Sequence, residues 1–153
     1  MYSIILAPVD GSVRSRGVLD AALEIADRFD GRVHLFRSVA VPAEFPAAAH
    51  MQPDRLPEFL ENEARRSLEE LAASHSRIRI EPPDMTTAQP WRSIIEAAAK
   101  IQADLIVIGS HGYGGWDRIL GTNASKVADH ADRSVLVVHE RHGASVASVS
   151  SSS

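Results

Sequence analysis

Hydrophobic residues gather in short runs along the chain, and several of these runs are nearly uninterrupted by polar side chains. Such runs are typical of parallel strands buried on both faces, because a half-exposed strand alternates apolar and polar residues. The third run, RIRIE, alternates in that second way. We therefore predict five strands, which span residues 3–9, 32–39, 77–81, 103–109 and 134–138.

Between these runs, apolar residues recur three and four positions apart, which is the spacing of an amphipathic helix. The spacing predicts helices over residues 12–29, 58–73, 90–101 and 122–131. We expect Ser12 to cap the first helix at its N-terminus and Gly31 to end it. The Pro- and Ala-rich residues 40–57 are predicted to form a loop without regular structure.

Strands that alternate with helices predict an α/β fold: a doubly wound, Rossmann-like, five-stranded parallel sheet of order 3-2-1-4-5 with helices on both faces. We predict one domain over residues 1–140 and a disordered Ser-rich tail over 141–153. In this order the winding direction reverses between the first and fourth strands, and ligands bind beyond the strand ends at such a reversal. The topology therefore predicts that Asp10 lies beside the glycine-rich residues that follow the fourth strand.

That glycine-rich stretch, residues 109–121, contains five of the nine glycines in the chain. It matches neither the dinucleotide fingerprint, whose third glycine is Asp117 here, nor the Walker A loop, because Gly115 replaces the lysine. The helix predicted to follow begins near Gly121–Thr122, and free N–H groups at a helix N-terminus favour an anion. The alternative is that these glycines serve only turns and close packing.

Composition narrows the possible partners. A net charge of −4 with only two lysines argues against a nucleic-acid partner. The absence of cysteine excludes disulfides and thiolate metal sites, and the histidines lack a metal-binding spacing. No apolar segment is long enough to span a membrane, and the N-terminus does not resemble a signal peptide, so we predict a cytoplasmic protein without a membrane partner.

The segments PVDGS and GSHG…GTNASKVADHADRSVLVVH resemble the universal stress proteins, and the likeness covers residues 2–139. Adenine-nucleotide-binding members of that family carry Gly-x-x-Gly, nine residues, and then Gly-Ser/Thr. This chain has Gly109-x-x-Gly112, eight residues, and then Gly121-Thr122, and it carries Ala88 where the family has a further glycine. The resemblance implies a cytoplasmic homodimer that regulates stress responses and is not an efficient enzyme.

The resemblance also implies a set of nucleotide-binding residues at the two strand ends. Toward adenine and ribose these are Pro8, Val9, Asp10 and the backbone of Ser38 or Val39; toward ribose and phosphates they are Gly109, Gly112, Gly121, Thr122 and Asn123. Apart from the resemblance, His111 lies inside the glycine-rich loop, where it is either a group that stacks on or donates to a ligand or a solvated side chain.

The leading hypothesis is a stress-response regulator that binds ATP or another adenine nucleotide, with or without Mg²⁺, and signals through an unidentified protein partner. One alternative is a slow nucleotide hydrolase in which Asp10 holds Mg²⁺ or orients water; another is a nucleotide-free dimeric scaffold. The fifth strand, 134–138, would be an edge strand without proline or charge to protect it. We therefore predict that it pairs with its copy in a homodimer.

Overall fold

The apolar runs form the strands of a parallel sheet. The computed structural model describes residues 1–40, 55–73, 75–86, 89–110 and 122–139. In chain order the elements are β1 (Ile4–Pro8), α1 (Ser15–Phe29), β2 (Arg32–Phe36), β3 (Ser38–Ala40), α2 (Leu56–Ala72), β4 (Ile78–Ile80), β5 (Asp84–Thr86), α3 (Pro90–Lys100), β6 (Leu105–Gly109), α4 (Thr122–His130) and β7 (Ser134–Val138). The main sheet has the order β4-β2-β1-β6-β7, which confirms the predicted fold class and strand order.

Helices cover both faces of this sheet. Successive side chains of a strand point to opposite faces, so neighbouring residues of β1 pack against different helices. On β1, Ile5 and Ala7 join the apolar cluster formed with α1 and α2, whereas Leu6 joins the cluster formed with α3 and α4. All three side chains are fully buried. The nearly continuous apolar sequence of β1 thus follows from its burial on two sides.

The predicted second strand is interrupted, so the prediction of one strand over 32–39 is wrong. β2 ends at Phe36, and after Arg37 the chain forms β3, which pairs in parallel with β5 in a separate two-stranded sheet. The carbonyl of Arg37 accepts the N–H of Asp84 at 3.0 Å. Pro82 and Pro83 precede Asp84 and have no N–H to donate, so pairing with the main sheet cannot continue through them.

Two helix starts also differ from the prediction. α1 begins at Ser15 with Arg14 at the N-cap position; Ser12 does not cap the helix, and its Oγ accepts the N–H of Arg14 at 3.3 Å. α2 begins at Leu56 with Pro57 in its first turn, where a missing N–H has no intrahelical partner to lose. The loop predicted over 40–57 is therefore too long at its C-terminal end.

The end of α1 shows why glycine occupies position 31. The left-handed residue that terminates the helix is Asp30 (φ 52°), not Gly31. A Cβ at Gly31 would lie 2.6 Å from the carbonyl oxygen of Tyr2, so the absence of a side chain lets the turn approach the start of β1.

None of the helices in the described ranges has the length and apolar character that crossing a bilayer requires. The predicted tail, 141–153, lies outside the described residues.

Candidate functional site

The carboxyl ends of β1 and β6 lie side by side where the winding of the main sheet reverses. β1 pairs with β2 on one side and with β6 on the other. Beyond these strand ends lies a cavity of about 140 Å³. The predicted site residues that line it are Pro8, Val9, Asp10, Ser38, Gly109 and Asn123. The structure thus brings the turn after β1 and the end of β6 to one cavity, as the topology predicts.

The remaining predicted residues fall in other places. Val39 lies on β3, where it pairs with Met85, and it is not among the described residues that line the cavity. Thr122 is the first residue of α4. His111, Gly112 and Gly121 lie outside the described residues, so their assignments remain predictions.

The carboxylate of Asp10 is held by the turn that connects β1 to α1. Its Oδ1 accepts the N–H of Ser12 at 2.9 Å and the hydroxyl of Ser15 at 3.1 Å. Gly11, which follows Asp10 in the chain, has φ +78° and donates its N–H to Ser15 Oγ at 3.2 Å. A side chain at Gly11 would be strained in this left-handed conformation. The glycine therefore permits the turn that presents Asp10 to the cavity.

The same contacts set the charge of Asp10. Partial burial opposes ionisation, but hydrogen bonds from the side chain and backbone of Ser12 and from Ser15 outweigh it and hold the pKa of Asp10 below its ordinary value of 3.8. Asp10 is therefore ionised at neutral pH. Within the described residues its Oδ2 accepts no hydrogen bond, which leaves an anionic acceptor for a hydroxyl or amino group of a ligand.

Ser38 supplies a second polar group to the cavity. Its Oγ is buried and has no hydrogen-bond partner among the described residues. A buried hydroxyl without a partner is unfavourable, and such groups in native structures need an explanation. A ligand atom in the adjoining cavity would provide the missing partner.

Gly109 ends β6 close to the first turns of α1. A Cβ there would lie 3.3 Å from Cγ2 of Val18, which is a tight contact. Val18 also lines the cavity. The lack of a side chain at Gly109 therefore lets the end of β6 lie close to Val18 of α1, and both residues line the cavity.

The N-terminus of α4 forms another wall. Asn123 and Ala124 line the cavity, and the first turn of α4 has no acidic residue. The first N–H groups of a helix lack intrahelical acceptors and carry the positive end of the helix dipole. This wall is therefore suited to an anionic group.

Several lining residues were missed from the sequence, including three on α1 and Arg14 at its N-cap position. The predicted site omitted Arg14, Ser15, Gly17, Val18, Pro90, Ile94, Ile108, Ala124 and Val138. The helical spacing assigned α1 to the core and did not reveal that its first turns also face the cavity. A signal was present in Gly17, because glycine is unfavourable within a helix and its presence there indicates that a side chain would occupy needed space.

The model of the universal stress protein family matches residues 1–139. The chain belongs to this family. Universal stress protein A homolog 1 of Coxiella burnetii is 34% identical over 142 residues, which cover 90% of this chain and 96% of that relative. The family resemblance noted from the sequence is therefore confirmed.

Solved structures of universal stress proteins share the fold. A family member from Burkholderia pseudomallei is 28% identical with a TM-score of 0.69, over 90% of this chain and 96% of that one. A universal stress protein crystallised in complex with cAMP is 25% identical with a TM-score of 0.60, over 90% of this chain and 97% of that one.

Proposed function

We propose that this universal stress protein binds ATP or another adenine nucleotide in the cavity between β1 and β6, and that occupancy of the site regulates a protein partner in a stress response. The observation that carries the proposal is the convergence of three groups on one cavity: ionised Asp10, the unpartnered hydroxyl of Ser38 and the N-terminus of α4. The solved relative with bound cAMP supports an adenine nucleotide as the ligand.

The cavity residues fit the chemistry of a nucleotide. Apolar side chains of Val9, Ile94 and Ile108 suit the faces of a purine ring, and Ser38 Oγ needs a partner such as a ring nitrogen or an exocyclic amine. The N–H groups at the start of α4 suit phosphate oxygens. Within this site Asp10 would accept hydrogen bonds from ribose hydroxyls or from the base.

The cavity could also hold a Mg²⁺ ion that binds together with the phosphates of the nucleotide. Asp10 is the one carboxylate among the described lining residues. No three His, Asp or Glu side chains in the described ranges are grouped as a protein-only metal site would require. Because Mg²⁺ in nucleotide sites is often held by one or two carboxylates together with phosphate oxygens, the proposal includes the nucleotide with or without the ion.

The regulatory part of the proposal includes a cytoplasmic homodimer formed through β7. β7 lies at the edge of the main sheet and pairs with β6 on one side. The side chain of Leu136 is 39% exposed, although Leu is favoured in the interior. Pairing with a second β7 would satisfy the open edge and cover Leu136.

We favour a regulator over a nucleotide hydrolase because of the groups that the described cavity offers. Cleavage of a phosphate needs groups that stabilise the charge of the transition state and a group that orients water. Asp10 is already engaged by Ser12 and Ser15, and it would have to perform the second task alone. The nucleotide-free scaffold stays an alternative that a binding experiment decides.

Isothermal titration of the dialysed protein with ATP, with and without Mg²⁺, tests the proposal. Asp10→Asn removes the charge and keeps the shape, and we expect it to weaken ATP binding by about 10- to 100-fold, the effect of losing a hydrogen bond to a charged group. The matched control is Asp20→Asn, because Asp20 is exposed on α1 and does not line the cavity. Equal affinities in the two variants would contradict the role of Asp10, and no binding to the wild type would contradict the proposed function.

A further inference from the structure

The first turns of α1 form a wall of the cavity that carries a positive charge. Arg14, Ser15, Gly17 and Val18 all line the cavity. Among the described lining residues, Asp10 and Arg14 are the two with charged side chains. The cavity lining therefore contains a hydrogen-bond acceptor, the Asp10 carboxylate, and also a cationic hydrogen-bond donor, the Arg14 side chain.

The backbone holds Arg14 at this edge. Its N–H donates to Ser12 Oγ at 3.3 Å, and its carbonyl accepts the N–H of Gly17 at 3.1 Å. The residue is partly buried at the N-cap position of α1 and makes no side-chain capping hydrogen bond. An arginine is an unfavourable choice there for the helix itself, because the positive end of the helix dipole repels a cation.

The N-terminus of α4 adds a second feature that suits an anion. Asn123 and Ala124 line the same cavity as Arg14, and the first turn of α4 contains no acidic residue. The start of α1 differs, because the Asp10 carboxylate accepts the N–H of Ser12 and the hydroxyl of Ser15 there. A phosphate near the start of α4 would be stabilised by its N–H groups and by a cationic side chain that lines the same cavity.

Space for such a group lies on the same wall. Gly17 follows Arg14 by three positions, which places the two residues on one side of the helix. A Cβ at Gly17 would have no heavy atom within 4 Å, so the volume in front of this position is open. Because Gly17 lines the cavity, this space is part of the volume that a ligand can occupy.

We infer that the guanidinium of Arg14 binds a phosphate of the nucleotide in the space beside Gly17, so that Arg14 selects for phosphorylated ligands over the nucleoside. The inference rests on the proposed function, since it assigns a role within the same site. Guanidinium groups recognise phosphate oxygens through paired, charge-assisted hydrogen bonds, which a neutral nucleoside cannot accept in that way.

Titration calorimetry at fixed ionic strength with adenosine, AMP and ATP tests this inference. For Arg14→Gln we expect binding of the preferred phosphorylated ligand to weaken by about 10- to 100-fold, with adenosine affinity changed by less than about twofold. Retained adenosine binding also shows that the variant is folded. Arg14→Lys keeps the charge and should recover part of the loss. Arg16→Gln is the matched control, because Arg16 is exposed and does not line the cavity.

The outcomes separate this inference from the proposed function. Equal weakening of adenosine and ATP by Arg14→Gln would place the guanidinium against the base and overturn the inference. No weakening, or the same effect from Arg16→Gln, would overturn it as well, while ATP binding by the wild type would leave the proposed function intact. If the wild type binds none of the three compounds, both proposals fail.

Discussion

Gly17 offers a test in which stability and binding should change in opposite directions. It is the third residue of α1, and a Cβ there would meet no heavy atom within 4 Å. Replacing it by alanine removes the conformational freedom of glycine from the unfolded chain without a clash in the folded one. We expect Gly17→Ala to raise the free energy of unfolding by about 0.5–1 kcal/mol. In a chain of this size that corresponds to a rise in Tm of roughly 1–4 °C.

The same substitution should weaken nucleotide binding if the open space belongs to the ligand. Overpacking by a methyl group costs about 1–3 kcal/mol, or about 5- to 150-fold in affinity. Gly17→Leu keeps a favourable helix former and occupies more of the space, so its loss of affinity should exceed that of Gly17→Ala. Urea unfolding of the free protein and titration with ATP measure the two effects separately.

Gly31→Ala provides the matched glycine control. Its Cβ would meet the Tyr2 carbonyl oxygen at 2.6 Å, and Gly31 does not line the cavity. We expect this variant to lose about 1–3 kcal/mol of stability while the folded protein keeps its affinity for ATP. A Gly17→Leu protein that binds ATP as tightly as the wild type would refute the assignment of the space to the ligand. A destabilised Gly17→Ala protein would refute the claim that a side chain at position 17 meets no atom of the folded protein.

Three further predictions follow from the site and the sheet edge. Ser38→Ala should leave the urea stability of the free protein unchanged or slightly higher, because it removes an unpartnered hydroxyl, yet it should weaken ATP binding. Leu136→Lys should convert a dimer to a monomer in sedimentation equilibrium; a wild type that is monomeric at micromolar concentration would contradict the β7 interface. The pKa of Asp10 is lowered in the folded state, so its contribution to stability is present above pH 3.8 and is lost as pH falls through the folded pKa. Accordingly, the difference in urea midpoint between wild type and Asp10→Asn should be constant from pH 8 to 5 and shrink below pH 3.8; a difference that is unchanged at the lower pH would refute this.

The order of the main sheet could be predicted because the sequence of its central strands reflects their burial. Ile5, Leu6 and Ala7 are all fully buried, and an uninterrupted apolar run is the direct consequence of packing on two faces. The reversal of winding between β1 and β6 then locates Asp10 and Gly109 at one cavity without any knowledge of side-chain positions.

The small sheet of β3 and β5 could not be predicted in the same way. Each strand has only three residues, and their pairing depends on where Arg37 and the two prolines before Asp84 redirect the chain. No periodicity is detectable over three residues, so an extended run through Arg37 was indistinguishable from one longer strand.

The α1 wall was missed for a different physical reason. Residues on one helix can serve both the core and a cavity, and Val18 does so because it belongs to the buried cluster and also lines the cavity. The sequence pattern records that Val18 is buried but not which space adjoins it. Gly17 and Arg14 can be assigned to the cavity only when the start of α1 is known to lie at the carboxyl edge of the sheet.

The central claim is that the cavity binds an adenine nucleotide, and native mass spectrometry of the freshly purified protein tests it most directly. After removal of any retained ligand, the same protein would be titrated with ATP and compared with Asp10→Asn. We predict an adenine nucleotide either retained on purification or taken up with micromolar affinity, and weaker uptake by the variant. A wild-type protein that carries no adenine nucleotide and takes none up at millimolar ATP would contradict the account.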